Sequence, residues 1–512
     1  VASETIAALL ADRRANDASR TAIVDDAGRL TYGALDARSA AFAAELVRRG
    51  VNKGQRTALL APNGAEWAIA AYALMRIGAV LVPSSTLLRP RELQQQLSIA
   101  GVRRLIACKA FRGRDYQADL AELDRGALPN LTDIWWLDEL SQAVSPDADL
   151  AMVRAFEARL RPADDMALVF TSGSSGAPKG VIHTHGGAIR ATRAGLEARG
   201  VRADTRLYIP MPFFWVGGFG TGLLSALIAG ATLVTEATPE PAATLKLLER
   251  EKVTLFRGWP DQALQLSRHP DFAKADLSGL VPGSLEAVLP ESLRAAPGAR
   301  ANLFGMTETF GPYCGWPLDR DMPMDAWGSC GKPFEGVEVR IVDPEQGRTL
   351  PTGEIGAIEV SGPNILRGVC GREREEVFTR DAWYDTGDLG RLDAEGFLFF
   401  AGRRDDMFKV KGASVYPREV EDALLTIPGV RRAFACEIDL GGASAVGAAV
   451  LPDAGASLDP TGLASAARTL LSAFKLPARW MILKSLDELP TLTSGKVDKV
   501  GLRRLISAAG SA

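Results

Sequence analysis

The sequence predicts an α/β protein: a large N-terminal α/β domain with a β subdomain, then a small α+β C-terminal domain. Three observations carry this. Through roughly the first 300 residues, short apolar runs alternate with amphipathic helical stretches, the pattern of βαβ units on a parallel sheet. After Gly331 the pattern becomes residue-by-residue alternation broken by turn residues, as in antiparallel β structure. A charged segment, Gly402-Arg403-Arg404-Asp405-Asp406, then precedes a fresh α/β alternation long enough for a small domain. At 512 residues the chain exceeds one ordinary domain. The expected division is 1–404, with 330–404 its β-rich part, and 405–512.

The elements follow in order. Residues 34–49 have helical apolar spacing and stop at Gly50. Residues 57–60 form a short strand ended by the turn signal Pro62-Asn63-Gly64. A helix over 66–77 stops at Gly78, and Val80-Leu81-Val82-Pro83 is the next strand. The alternation recurs through Ile106, Val169, Leu207, Leu233, Leu255 and Leu303. Residues 210–235 carry no charge, long enough to span a bilayer. Gly217, Gly218, Gly220, Gly222 and Gly230 argue instead for a loop, a buried helix at 219–228 and a strand at 231–235. In the β subdomain, 337–342 and 355–360 alternate, with turns at Asp343-Pro344 and Pro351-Thr352-Gly353. The C-terminal part reads as a helix at 417–425, strands near Ala433 and Ala445, and a helix at 463–474.

Bulk properties exclude several classes. A composition 47% apolar and 24% charged supports a large core and argues against wholesale disorder. A net charge of −3 gives no basic field for nucleic acid. Five scattered cysteines without a Cys-x-x-Cys argue against a disulfide frame or zinc site and for a reducing, cytoplasmic setting. His183-Thr184-His185 is the only histidine cluster, and it lacks further ligands nearby; it reads as packing or as the flank of the loop described next. The first residues given show no charged-then-apolar pattern of a signal peptide, so none is expected in them.

Chemistry concentrates in Thr171-Ser172-Gly173-Ser174-Ser175-Gly176-Ala177-Pro178-Lys179-Gly180, behind the apolar strand Met166-Ala167-Leu168-Val169-Phe170. Glycines expose backbone N–H groups, hydroxyls add donors, and Lys179 adds a point charge. Such a loop suits a polyphosphate. It is not a Walker loop, since Pro178 and Gly180 flank the lysine. Taken alone, it could be a Ser/Gly surface loop.

The stretch resembles the phosphate loop of the adenylate-forming superfamily, which includes acyl-CoA synthetases, luciferases and peptide-synthetase adenylation domains. Four further matches follow in that family's order: Asn302-Leu303-Phe304-Gly305-Met306-Thr307-Glu308, Tyr384-Asp385-Thr386-Gly387-Asp388, Gly402-Arg403-Arg404-Asp405-Asp406-Met407-Phe408-Lys409, and Pro490-Thr491-Leu492-Thr493-Ser494-Gly495-Lys496. Together they cover nearly the whole chain. The resemblance implies a mobile C-terminal domain, with the active site between it and the N-terminal one.

It also implies roles. Thr171, Ser172, Gly173, Ser174, Ser175, Gly176 and Lys179 would hold ATP phosphates. Phe304, where the family usually has Tyr, would stack on adenine beside Gly305 without the phenol's hydrogen bond. Thr307 would contact phosphate and Glu308 would hold Mg²⁺, a hard cation suited to carboxylate oxygen. Asp388 would accept both ribose hydroxyls, Arg403 would reach ribose or phosphate, and Asp405 would be the pivot. Lys496 would steady the adenylating transition state. Gly412 would border the pantetheine channel of coenzyme A.

Trp215, Gly217, Phe219, Trp259, Met306 and Phe310, with Phe214 and Tyr313 nearby, fall where the family lines its acyl pocket; packing is the ordinary reading of such residues. Trp215 stands where the family often has His and where amino-acid-activating members have Asp. The implied activity is an ATP-dependent carboxylic acid–CoA ligase acting on an apolar acid through an acyl-adenylate. The alternatives are an acyl-AMP ligase or amide synthetase using an amine or carrier-protein thiol and, in another class, a non-catalytic nucleotide- or acyl-binding protein. The expected partners are a small carboxylic acid, ATP and CoA, without nucleic acid or a membrane span; a homodimer is compatible with the sequence.

Overall fold

The computed structural model describes residues 4–145, 148–172, 178–410, 413–440, 443–491 and 497–509. The chain divides into two compact units, Val1–Glu338 with Val360–Tyr384, and Val339–Glu359 with Asp385–Ala512.

The first unit is built on two sheets. The larger has seven strands in the order Gly368–Val369, Pro178–Thr184, Asp165–Ser172, Val80–Pro83, Arg56–Leu60, Arg104–Ala107, Asp133–Trp136. Its last five strands run parallel, and Pro178–Thr184 turns back antiparallel on Asp165–Ser172. The second sheet has the order Leu255–Phe256, Arg206–Tyr208, Thr232–Val234, Thr21–Asp25, Gly28–Thr31, parallel except for its last strand. The central strands read as continuous apolar runs because both their faces are covered. One face of the larger sheet meets the Ala65–Arg76 helix, of whose 12 residues all but Glu66 are buried. That helix lies in the main core with Trp67, Ile69, Phe213 and Phe219.

Most expected elements appear within a residue or two: helices Tyr32–Arg48 and Ala65–Arg76, and strands Arg56–Leu60, Val80–Pro83 and Thr232–Val234. Three differ. Residues 219–228 do not form one α-helix: the chain enters as a π-helix over Gly217–Leu224 and continues as the α-helix Ser225–Ala229. Gly218 permits the entry, because a Cβ there would sit 2.2 Å from the Pro212 carbonyl oxygen. Leu303 does not continue the parallel alternation. The strand starts at Phe304 and pairs antiparallel with Gly311–Gly315. The third is the helix expected at 463–474; it runs Pro460–Leu470, started by Asp459 accepting from the Gly462 N–H and by a first-turn proline.

The second unit holds a four-stranded sheet ordered Glu338–Val342, Gly356–Ser361, Tyr384–Leu392, Leu398–Arg403. It also holds a three-stranded sheet of Val430–Leu440, Ala443–Pro452 and Pro477–Ile482, covered by the helices Pro417–Leu425, Pro460–Leu470 and Lys499–Ala508. Residues 339–359 and 385–404 thus group with the C-terminal segment, and Asp405 lies inside this unit, in the turn Arg404–Asp406. None of the five cysteines is in a disulfide. Among the described residues, no helix is long and apolar enough to cross a membrane.

Candidate active site

The strands Asp165–Ser172 and Pro178–Thr184 form the stem of the Ser/Gly loop, with Lys179 directly opposite Thr171. Gly173, Ser174, Ser175 and Gly176 lie outside the described residues, as do Gly412 and Lys496. Of Ser172, only its place at the strand end is described.

Along Pro178–Thr184, Lys179, Val181 and His183 share one face. Lys179 Nζ on that face lies 2.7 Å from Glu308 Oε1 and 2.6 Å from the Tyr384 hydroxyl. Glu308 is only 6% exposed, so its charge is compensated by the ammonium rather than by bulk water. Its backbone is pinned too, as its carbonyl accepts from the Leu366 N–H at 2.7 Å.

The turn that delivers Glu308 has a steric logic. A Cβ at Gly305 would lie 2.1 Å from the Gly311 carbonyl oxygen, so only glycine allows the two strands to approach. The chain then makes a single tight turn, Thr307–Thr309, with Thr309 Oγ1 accepting from the Met306 N–H. Phe310 ends it in the left-handed region at φ +53°. Its ring packs edge-on against His183 at 4.9 Å and Phe219 at 5.5 Å. Phe304 sits edge-on to Tyr313 at 5.5 Å.

His183 fixes the same turn from the other side. Its Nε2 lies 2.8 Å from the Thr307 carbonyl oxygen, which can only accept, so the ring proton resides on Nε2. Complete burial lowers its pKa to about 4, against the opposing pull of that hydrogen bond and of Glu308. Burial lowers His185 to about 3, with Asp164 opposing. Both folded values lie below the ordinary value near 6.5, so between the two limits the unfolded chain binds more protons. The stability from keeping these rings neutral is complete above pH 6.5 and is lost as pH falls toward 4. Each ring adds a slope of about 1.4 kcal/mol per pH unit in that window. Urea unfolding at pH 7, 6 and 5 should show the fall, and His183→Gln should flatten it by about one proton. An unchanged slope in His183→Gln would show that His183 is not held neutral.

The expected acyl-pocket residues divide. Trp215 packs edge-on against Phe214 at 5.1 Å and Trp259 at 5.7 Å, and Trp259 is 40% exposed. Gly217 opens the π-helix, where a Cβ would lie 2.7 Å from Met211 Sδ. Phe219 is fully buried between Trp67 and Phe310. Met306 and Phe310 flank the turn that carries Glu308.

In the second unit, Asp388 and Arg403 face each other across adjacent strands, with Arg403 Nη1 2.8 Å from Asp388 Oδ1. Gly387, at φ +72°, bends the chain just before Asp388. The Asp388 N–H donates to Thr386 Oγ1, which in turn donates to the Ile358 carbonyl. Arg404 pairs with Asp385 at 2.6 Å.

Sequence reasoning passed over two members of the first cluster. Tyr384 opens the run that ends at Asp388, where attention falls on the carboxylate. His183 read as packing or a loop flank. Tyr384 lies four residues before Asp388 and His183 four after Lys179, and neither spacing signals its contact, because both contacts join elements of different sheets.

Among the described residues, no group of three or more His, Cys, Asp or Glu could hold a metal by protein ligands alone. The buried Glu308 carboxylate beside the lysine of the Ser/Gly loop stem nevertheless fits Mg²⁺, which keeps few protein ligands and completes its shell from phosphate oxygens and water.

The chain is similar along nearly its whole length to several known proteins. A feruloyl-CoA synthase from Amycolatopsis sp is 32% identical over 497 residues, covering 94% of this chain and 95% of that one. MatB from Rhodopseudomonas palustris, solved with ATP bound, superposes with a TM-score of 0.82 at 25% identity over 99% of both chains. The o-succinylbenzoate CoA synthetase from Bacillus subtilis, solved with its acyl-adenylate intermediate, gives a TM-score of 0.75 at 25% identity over 98% of both. Residues 10–370 match the model of the AMP-binding enzymes, and the chain belongs to that family.

Proposed function

We propose that this enzyme joins a carboxylic acid to coenzyme A at the expense of ATP, in two steps through an acyl-adenylate. The observation that carries the reading is the buried Lys179–Glu308 pair at the stem of the Ser/Gly loop. It sets a cation for phosphate oxygens beside a carboxylate for a divalent ion. In the first step the acid's carboxylate oxygen attacks the α-phosphorus of ATP and pyrophosphate leaves. Thr171, Ser172, the 173–176 loop, Lys179 and Thr307 hold the phosphates. Phe304 and Gly305 border adenine, and Asp388 with Arg403 receives ribose. Mg²⁺ held by Glu308 would supply charge neutralisation of the phosphates. Protein side chains do little covalent work here; positioning and electrostatics dominate.

In the second step the thiol of CoA attacks the acyl carbon and AMP leaves. Lys496 serves the first step and Gly412 the second, with Asp405 as the pivot between them. The acid is apolar. The aromatic group of Phe214, Trp215 and Trp259, next to the glycine-rich π-helix, supports a fatty, alicyclic or aryl chain.

The test is a screen of carboxylic acids for pyrophosphate release, with and without CoA. Release that needs both acid and ATP, with AMP and thioester formed only when CoA is added, is the expected result. Adenylation that transfers only to amines or to a carrier-protein thiol would replace the CoA step. No pyrophosphate with any acid would reject the reading.

A further inference from the structure

The phenol oxygen of Tyr384 is a polar atom of the Lys179–Glu308 cluster that none of these roles uses. It lies 2.6 Å from Lys179 Nζ and 3.2 Å from Glu308 Oε1, and those two atoms are 2.7 Å apart. The three close a triangle. An ammonium can only donate and a carboxylate can only accept, so the phenol accepts from Nζ and donates to Oε1. Nζ also lies 5.0 Å from the centroid of the Tyr384 ring, within cation–π range. The ring itself is held: Tyr384 is 7% exposed and packs edge-on against Phe378 at 6.2 Å.

We propose that Tyr384 is a positioning residue for nucleotide entry, which keeps Lys179 at the phosphate site while Glu308 exchanges its ammonium partner for Mg²⁺. The inference rests on the ligase reading above. In the ligand-free chain Lys179 neutralises Glu308. Binding of Mg·ATP requires both groups to change partners: the carboxylate turns to the divalent cation and the ammonium to phosphate oxygens. Through that exchange the lysine loses Glu308, its charged partner among the described residues. A flexible four-carbon side chain then gains many rotamers away from the site. The phenol bond persists while the partner changes, so the exchange breaks one contact of the ammonium rather than all of them. When pyrophosphate leaves, the ammonium has a short path back to the Glu308 carboxylate.

The experiment is calorimetric titration of wild type and Tyr384→Phe with Mg·ATP and, separately, with AMP, both without acid. Mg·ATP binding should weaken about threefold to fivefold: the phenol is the hold that remains once Glu308 releases the ammonium, and because that bond is made before and after binding the loss is smaller than a whole hydrogen bond to a charged group. AMP, which lacks the β- and γ-phosphates, should bind within about twofold of wild type. In steady state the loss should appear in the KM for ATP and spare kcat. In a Lys179→Met background, Tyr384→Phe should add no further loss for Mg·ATP, since the two act as one unit. Equal weakening of Mg·ATP and AMP, or additive losses in the double variant, would overturn the proposal and leave Tyr384 as packing. A wild type that binds Mg·ATP but releases no pyrophosphate with any acid would reject the ligase reading and leave the Tyr384 result standing.

Discussion

Lys496→Ala is expected to lower acid- and ATP-dependent pyrophosphate release on the order of 100- to 1,000-fold, the usual cost of removing a preorganised charge from a transition state. The same variant should still convert chemically made acyl-adenylate and CoA to thioester. The asymmetry follows from the proposed division of labour. The ammonium offsets charge that grows as phosphorus becomes five-coordinate, and no such charge develops when a thiol attacks the acyl carbon. Gly412→Leu should give the opposite result, because a side chain at the proposed pantetheine channel would obstruct the thiol and spare adenylation. Asp405→Pro should resemble Gly412→Leu, since proline fixes φ at the proposed pivot. Each variant is assayed for both half-reactions separately. A common fall in both rates for Lys496→Ala and Gly412→Leu would make the two-orientation scheme untenable.

Glu308→Gln is expected to lower kcat/KM for ATP about 100-fold and to raise the Mg²⁺ concentration needed for half-maximal adenylation. The amide keeps the shape of the side chain and removes the charge that a hard cation requires. Folding should suffer less than catalysis. The Glu308 backbone stays pinned by the Leu366 N–H, and Lys179 keeps its bond to the Tyr384 phenol. Circular dichroism and thermal unfolding provide the control. An unchanged Mg²⁺ dependence in a folded variant would remove Glu308 from the metal site.

The parts of the fold legible in the sequence are those whose signals are local. Val80–Pro83 was readable to the residue because a strand covered on both faces is a continuous apolar run between punctuating residues. Pro417–Leu425 was equally clear, with proline at its first position and a strongly amphipathic pattern after it. The failures arise where one backbone closely approaches another. The strand at Phe304 pairs antiparallel because Gly305 lacks a Cβ, and the Gly217–Leu224 segment adopts π geometry beside a carbonyl that Gly218 alone tolerates. Neither approach leaves a periodic trace. The candidate site behaves in the same way. Its residue types announce phosphate chemistry, yet Lys179 meets Glu308 across 129 positions and Tyr384 across 205. Lys179 and Tyr384 stand on strands of two different sheets and Glu308 on a turn between strands of a third, and only the strand pairing and packing of the folded chain bring them together.

That dependence on strand pairing has a consequence for how the chain is checked during folding. Lys179 and His183 project from one face of the Pro178–Thr184 strand, and between them they hold the carboxylate and the backbone of the Thr307–Glu308 turn. A slip of that strand by one residue would present Gly180 and Ile182 instead, removing both holds at once. With the proposed nucleotide site, affinity for ATP would then discriminate between correctly and wrongly registered hairpins. Because a ligand stabilises only the state that binds it, ATP would enrich the correct register by mass action. The substrate would thus act as a proofreader of the sheet that receives it, and refolding yields should rise when ATP is present before the chain collapses.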